Sequence, residues 1–401
     1  MTKHKVAMLT SGGLAPCLSS SIAELISNYT RLDADIPIIG YLGGYAGLLE
    51  GKSVEVTPAV RERAYVLHSH GGSPLGNSRV KLSNVADCLK RGLIREGEDP
   101  FRVAADQLAR DEVTILHTIG GDDTSTTAAE LARYLSENGY HLNVVGMPKT
   151  VDNDINPVRQ SLGALSAAEQ GAIFFSNFSH ERCASPNTLL VHEVMGRNSG
   201  WLTAATARAY AERLARGEYL PEFNLPRSFL AIDAVYVPET PFDVNEEGER
   251  LAKVMADKGA VSVFVSEGAN AERIVAEMTE QGEDVQRDAF GHVALDKVNV
   301  GAWLGKRLAG LIGAERTLVQ KSGYFARSAP ANARDRELIA EMARVACASA
   351  LTGKPGLVGH DIDHDDQLRV IELERISGGK RFNPGEAWFG AMLDEMGQPR
   401  G

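Results

Sequence analysis

Two acidic residues follow two glycines at Gly120-Gly121-Asp122-Asp123-Thr124, and a lysine with two further aspartates follows a proline at Pro148-Lys149-Thr150-Val151-Asp152-Asn153-Asp154. These are the residue types of phosphoryl transfer. Glycines let backbone N–H groups approach an anion at a helix start, one carboxylate can hold Mg2+, a cation can stabilise the group in flight, and a second carboxylate can take a proton. Asp122 is the candidate magnesium ligand. Asp123 is awkward there, because a second carboxylate in a phosphate cradle repels the ligand unless a metal, a lysine or a shorter ligand makes room. Helix capping is the competing role for either aspartate; it accounts for one of them and not for both. Lys149, Asp152 and Asp154 share one loop, which puts a cation, a base and an acceptor within reach of one substrate, against the plainer reading of a solvated acidic loop.

Further glycine-rich or charged segments stand at Ser11-Gly12-Gly13-Leu14-Ala15-Pro16, at Gly71 to Arg79, at Met195-Gly196-Arg197-Asn198-Ser199-Gly200, at Glu267-Gly268-Ala269-Asn270 and at Tyr324-Phe325-Ala326-Arg327-Ser328. The first is as good a tight turn as a phosphate loop. In the second, Arg79 can fork onto phosphate oxygens. Arg197 and Arg327 suit bidentate recognition of a sugar phosphate, although surface arginines are common. His360 to Asp366 lacks the spacing, turn glycine and glutamate of a calcium loop and reads as a solvated surface loop. Gly378-Gly379-Lys380-Arg381 reads as a tail loop without a role.

What must position these residues is an alternation of strands and helices. Apolar runs of strand length occur at Val6 to Thr10, Ile36 to Leu42, Val113 to Ile119, Leu142 to Met147, Thr188 to Val194, Phe229 to Val235, Val261 to Ser266 and Arg316 to Val319. Helical periods fall between them at Leu18 to Tyr29, Thr124 to Asn138, Ser161 to His180, Trp201 to Ala215, Asn245 to Lys258 and Arg334 to Leu351. The pattern predicts an α/β fold with mainly parallel sheets flanked by helices. Nearly every segment of chemical interest follows a strand, where ligands of such sheets bind.

At 401 residues the chain exceeds one ordinary core, which predicts two lobes. The donor and magnesium lobe is expected over 1–160 with about 327–385, and the second lobe over about 161–326 with the C-terminal tail. A net charge of -11, from 42 basic against 53 acidic residues, disfavours nucleic acid and anionic membrane as partners, so phosphates need local cations and a metal. No secretory leader or bilayer-length apolar run is evident, and the four cysteines show no paired spacing, so they read as reduced, buried thiols of a cytoplasmic protein.

In order and spacing, the segments from Thr10-Ser11-Gly12-Gly13 to Tyr324-Phe325-Ala326-Arg327 resemble the phosphofructokinase family, in its pyrophosphate-dependent branch. ATP-using relatives carry glycine at the positions of Asp123 and Lys149. The resemblance implies two Rossmann-like lobes with the active site in the cleft between them, Mg2+ as cofactor, a homodimer or homotetramer, and reversible transfer from pyrophosphate to fructose 6-phosphate. It also implies roles: Asp152 as the base for the 1-hydroxyl, Asp122 for magnesium and Lys149 for the transferring group. Asp123 fills the space of a nucleotide's α-phosphate, and Gly12 and Arg79 contact the diphosphate. Thr150, Met195, Gly196, Arg197, Glu267, Tyr324 and Arg327 contact the sugar phosphate, the last two nearest the 6-phosphate. Thr188 stands where bacterial ATP-using members have an arginine lent by a neighbouring subunit; the resemblance does not say which residue replaces it, and Lys321 is one candidate for the missing charge. An ATP-dependent sugar or nucleotide kinase of the same fold, and a non-catalytic sugar-phosphate sensor, are the alternatives.

Overall fold

The computed structural model describes residues 4–280, 282 and 298–400, and turns the alternation into strands β1 (Val6–Thr10), β2 (Ile38–Tyr41), β3 (Ser53–Glu55), β4 (Ile115–Gly120), β5 (Asn143–Pro148), β6 (Thr188–Val194), β7 (Ala234–Tyr236), β8 (Ala260–Ser266), β9 (Arg316–Lys321), β10 (Gly356–Asp361) and β11 (Gln367–Ile371). The chain divides into two units, Met1–Ser166 with Arg327–Lys380 and Ala167–Ala326 with Arg381–Gly401.

The first unit holds a seven-stranded sheet in the order β11-β10-β5-β4-β1-β2-β3. Its inner strands run parallel, and β3 and β11 are antiparallel edges. Every residue of β1 and β4 is buried, as expected of strands covered on both faces. Leu9, Tyr41, Tyr45, Leu48, Leu108, Leu116 and Leu131 form the core on one side. His117 inside β4 is buried, and its Nδ1 faces the Val145 carbonyl at 3.0 Å, so that Nε2 accepts from the Tyr29 hydroxyl at 2.7 Å. Burial pulls this imidazole down to about 4, which keeps it neutral.

The second unit holds an all-parallel sheet in the order β7-β8-β6-β9, with Leu189, Val191, Val261, Val263 and Val265 packed against Leu251, Leu304 and Leu308. His192 on β6 is stacked on Phe175 at 5.4 Å and bonded to Ser322 Oγ at 2.8 Å; burial pulls it down to about 3, so it too is neutral. Among the described residues no helix is long and apolar enough to cross a membrane.

Several expectations fail for physical reasons. Phe229 to Val235 is not one strand: a 3-10 turn occupies Arg227–Leu230 and β7 starts at Ala234. His360 to Asp366 is not simply a solvated loop, because β10 and β11 pair across it and only its tip is exposed. Asp361 is fully buried, takes a two-pronged bond from Arg375 at 2.7 and 2.9 Å and a third from Arg369 at 2.8 Å. Cys17, Cys88 and Cys347 are buried as expected, but Cys183 lies exposed on the 3-10 turn Ser179–Ala184.

The Arg375 and Arg369 guanidinium groups hold the Asp361 carboxyl well below the usual carboxylate range. Its contribution is therefore complete above the unfolded value of about 3.9 and is lost as pH falls below it. Asp361→Ala removes the buried acceptor of both guanidinium groups, which keep Glu372 and Asp363 as partners, and should cost about 1–3 kcal/mol. The urea unfolding midpoint should fall accordingly at pH 7; an unchanged midpoint would remove this anchor from the hairpin.

Candidate active site

Thr10 pairs with Ile119 and Gly120 with Pro148, so the loops after β1, β4 and β5 leave the same edge of the sheet side by side. Backbone bonds extend that register: Ser11 N–H donates to Ile119 O at 3.0 Å and Lys149 N–H to Gly120 O at 2.8 Å. Gly12 turns the first loop with φ of 82°, where a side chain is strained, and a Cβ there would lie 3.2 Å from Lys149 Nζ. The Gly12 N–H donates to Ser78 O at 2.8 Å, and Asn77 donates to the Gly12 and Gly13 carbonyls at 3.2 and 3.4 Å. The segment ending in Arg79 is thereby tied to the glycine loop. Its N–H is thus committed within the fold, and its missing side chain leaves space beside Lys149 Nζ.

Lys149 is buried, 3% exposed, and its Nζ donates to Gly13 O at 2.6 Å. Burial pulls the ammonium down to about 8, against the pull of the Asp152 and Asp122 carboxylates, with Arg79 adding to the depression. The half-buried Asp152 follows in a tight turn in which its N–H donates to Thr150 Oγ1 at 3.1 Å. Asn153 takes the left-handed conformation, φ 51°, and its side-chain oxygen accepts from Ser161 N–H at 2.8 Å. Asp154 has its carboxyl pushed up by burial and by Asp122, and held down by the Thr150 hydroxyl and by Lys380. Arg327 brings Nη1 to the glycine loop, 3.8 Å from where a Cβ on Gly13 would sit.

Asp122 and Asp123 open the helix Asp122–Glu137, but neither caps it: Gly121 is the N-cap, and no side chain bonds there. Both sit in the first turn, where the helix dipole favours negative charge. Asp123 pairs with Lys81 at 2.6 Å, both side chains being about half exposed. This pairing is not readable from the sequence; its trace is a second basic residue two places after Arg79. Among the described residues no cluster of three His, Cys, Asp or Glu could hold a metal. Magnesium takes one or two carboxylates and completes its shell with phosphate and water oxygens. The crowding of Asp122 against Asp154 is the charge a hard cation relieves.

In the second unit, Val194 pairs with Ser266 and Glu193 with Lys321, so Met195 to Arg197, Glu267 and Tyr324 gather at the same carboxyl edge of its sheet. Glu267 N–H donates to Val194 O at 2.9 Å and its Oε1 accepts from Gly196 N–H at 3.3 Å; Ser266 Oγ donates to the Gly196 carbonyl. Burial pushes the Glu267 carboxyl up, and the Arg197 charge counters it. Arg197 and Tyr324 are exposed, the latter 81%. Met195 packs against Gly323. Thr188 is buried, its hydroxyl donating to Ser185 O at 2.8 Å. Lys321 is held by Glu193 at 2.6 Å, which argues against it as a ready substitute cation.

The Gly378 to Arg381 segment is more than a tail loop. Gly378 lies on the Asp122 carboxylate, closely enough that a Cβ would collide with it, and Lys380 N–H donates to Asp154 O at 3.0 Å.

Residues 5–350 match the family model described as phosphofructokinase. The pyrophosphate–fructose 6-phosphate 1-phosphotransferase of Methylomonas methanica is 57% identical over 99% of this chain and 97% of its own length. That of Mastigamoeba balamuthi is also 57% identical, over 99% and 97% respectively. The crystal structure of the pyrophosphate-dependent phosphofructokinase from Nitrosospira multiformis is 19% identical and superposes with a TM-score of 0.71, covering 96% of this chain and 87% of that one. With a fold, a loop order and a full-length similarity that agree, the chain belongs to the phosphofructokinase family.

Proposed function

We propose that the chain transfers a phosphoryl group reversibly from pyrophosphate to the 1-hydroxyl of fructose 6-phosphate, giving fructose 1,6-bisphosphate and phosphate. The observation that carries this reading is the buried Lys149 ammonium, set between the Gly13 carbonyl and the charges of Asp152 and Asp122 at one sheet edge. Phosphoryl transfer proceeds mainly by positioning and charge stabilisation, and these groups are what it needs.

Lys149 meets the equatorial oxygens of the transferring group, in a site that excludes water and so strengthens the attraction. Arg79 and the Gly12–Gly13 loop hold the diphosphate. Asp152 accepts the proton of the sugar's 1-hydroxyl as that oxygen attacks phosphorus. Asp122 is the residue that would hold Mg2+, which when bound neutralises charge on the diphosphate oxygens. Thr150 orients the Asp152 turn through its hydroxyl. Arg197, Glu267, Met195, Gly196 and Tyr324 form the sugar-phosphate set of the second unit, with Arg327 reaching the anion loop of the first. Asp123, paired with Lys81, fills the space beyond the second phosphate, where a nucleotide would need room for a third.

Replacing Asp152 by Asn removes the base and leaves the volume. The variant should lose a factor of about 10² to 10⁴ in kcat while its KM for fructose 6-phosphate stays within a few-fold. A kcat close to that of the unmutated protein would dismiss Asp152 as the base.

Lys149 supplies a second test through pH. Its ordinary value is 10.5 and the folded protein lowers it to about 8, so the charged form is disfavoured by folding and the ammonium is lost as pH rises through about 8. Because kcat/KM reports groups of the free enzyme, kcat/KM for pyrophosphate should fall on the alkaline side with an apparent pKa near 8. A profile flat to pH 9.5 would show that the charge of Lys149 is not used.

A further inference from the structure

The loop at Ser377 to Lys380 comes back from the far end of the chain onto the turn that carries Asp152. Ser377 and Asn156 exchange backbone bonds of 2.7 and 3.2 Å, and Lys380 N–H donates to Asp154 O at 3.0 Å. The Lys380 side chain then reaches under the turn. Its Nζ donates to the Val158 carbonyl, to Arg159 O at 3.3 Å and to Asn153 Oδ1 at 3.5 Å. Asn153 itself bonds Arg159 O through Nδ2 at 3.2 Å and Ser161 Oγ through Oδ1 at 3.2 Å. One ammonium thus gathers oxygens from both ends of the segment 153–159. Its charge also acts on the Asp154 carboxylate, which feels the like charge of Asp122. An ammonium offers three donors and no acceptor, so three oxygens converging on it make a complete partner set.

From this geometry we infer that Lys380 is a positioning residue for the transfer step, its ammonium locking the turn at Asn153 to Arg159 and so holding Asp152 in line with the attacking hydroxyl. The inference rests on the reading of Asp152 as the base. Asp152 precedes the left-handed Asn153, and the ammonium acts on that backbone through the Asn153 side chain, which it meets at 3.5 Å and which is bonded in turn to Arg159 O and to Ser161. A displacement of about 1 Å in such a group costs roughly 10²-fold in rate.

The test is a mutant cycle measured with pyrophosphate and fructose 6-phosphate on the full chain. Lys380→Met keeps the length and removes the charge and donors; its kcat should fall roughly 10²-fold, with KM for fructose 6-phosphate within about threefold. Combined with Asp152→Asn, it should cost no more than about twofold further, since aiming an absent base does nothing. A merely structural role would slow both backgrounds by the same factor. Should the Met variant fail to fold, Lys380→Gln, one atom shorter and with two donors and no charge for the three oxygens, replaces it with the same expectations. A Lys380 variant that is folded and within threefold of wild-type kcat, or equal losses in both backgrounds, would overturn the inference. An unmutated protein inactive with these substrates would instead remove the reading of Asp152 and the inference with it.

Discussion

Burying a lysine ammonium costs several kcal/mol unless charge and hydrogen bonds compensate it. At Lys149 that compensation comes from the Gly13 carbonyl at 2.6 Å and from two carboxylates on different loops, Asp152 and Asp122. Each compensating group follows a strand or opens a helix whose place is set by the parallel register of β1, β4 and β5, so the sheet is what keeps the charge cluster assembled. Gly12 belongs to the same constraint, because its missing side chain leaves the space beside Nζ. The depressed ammonium, poised near neutrality, has most to gain from an incoming anion.

The net charge of -11 means that an anionic substrate meets a repulsive surface overall. Local cations correct this in the first unit: Arg79, Lys81, Lys149 and Arg327 all stand at or beside the glycine loop or the start of the helix Asp122–Glu137. The pairing of Lys81 with Asp123 refines the idea of a bare carboxylate excluding a nucleotide. The exposed pair itself stabilises the fold by only about 0.2–1 kcal/mol. On the proposed reading it occupies, as a partly compensated couple, space that pyrophosphate does not need to enter and a nucleotide would.

The strands that carry the site were legible because parallel strands covered on both faces are continuous apolar runs, and because polar residues directly after such runs fall on one edge. Lys149, Asp152, Asp122 and Glu267 come directly after such runs, at the sheet edges the registers set. Contacts with remote partners leave no such trace. Lys380 and Asn153 are separated by 227 positions, and no periodicity links a tail lysine to a turn in the first half of the chain. Asp361 misled for a different reason: amid His360 to Asp366 its charge reads as solvated, whereas two arginines on and after β11 make its burial possible. The capping role open to Asp122 and Asp123 fell to Gly121, a choice made by backbone conformation rather than side-chain chemistry.

The choice of donor is decided by kcat/KM for pyrophosphate and for ATP, measured on the same preparation with Mg2+ and fructose 6-phosphate. A like charge at roughly 4 Å costs a nucleotide up to about 4 kcal/mol at an effective dielectric near 20, and Lys81 offsets part of it. Pyrophosphate should therefore be preferred by a factor between about 10 and 10³. Asp123→Gly should narrow that ratio. An unmutated protein that uses ATP as well as pyrophosphate, or better, would contradict the assignment of Lys149 and Asp123 as the groups that choose the donor.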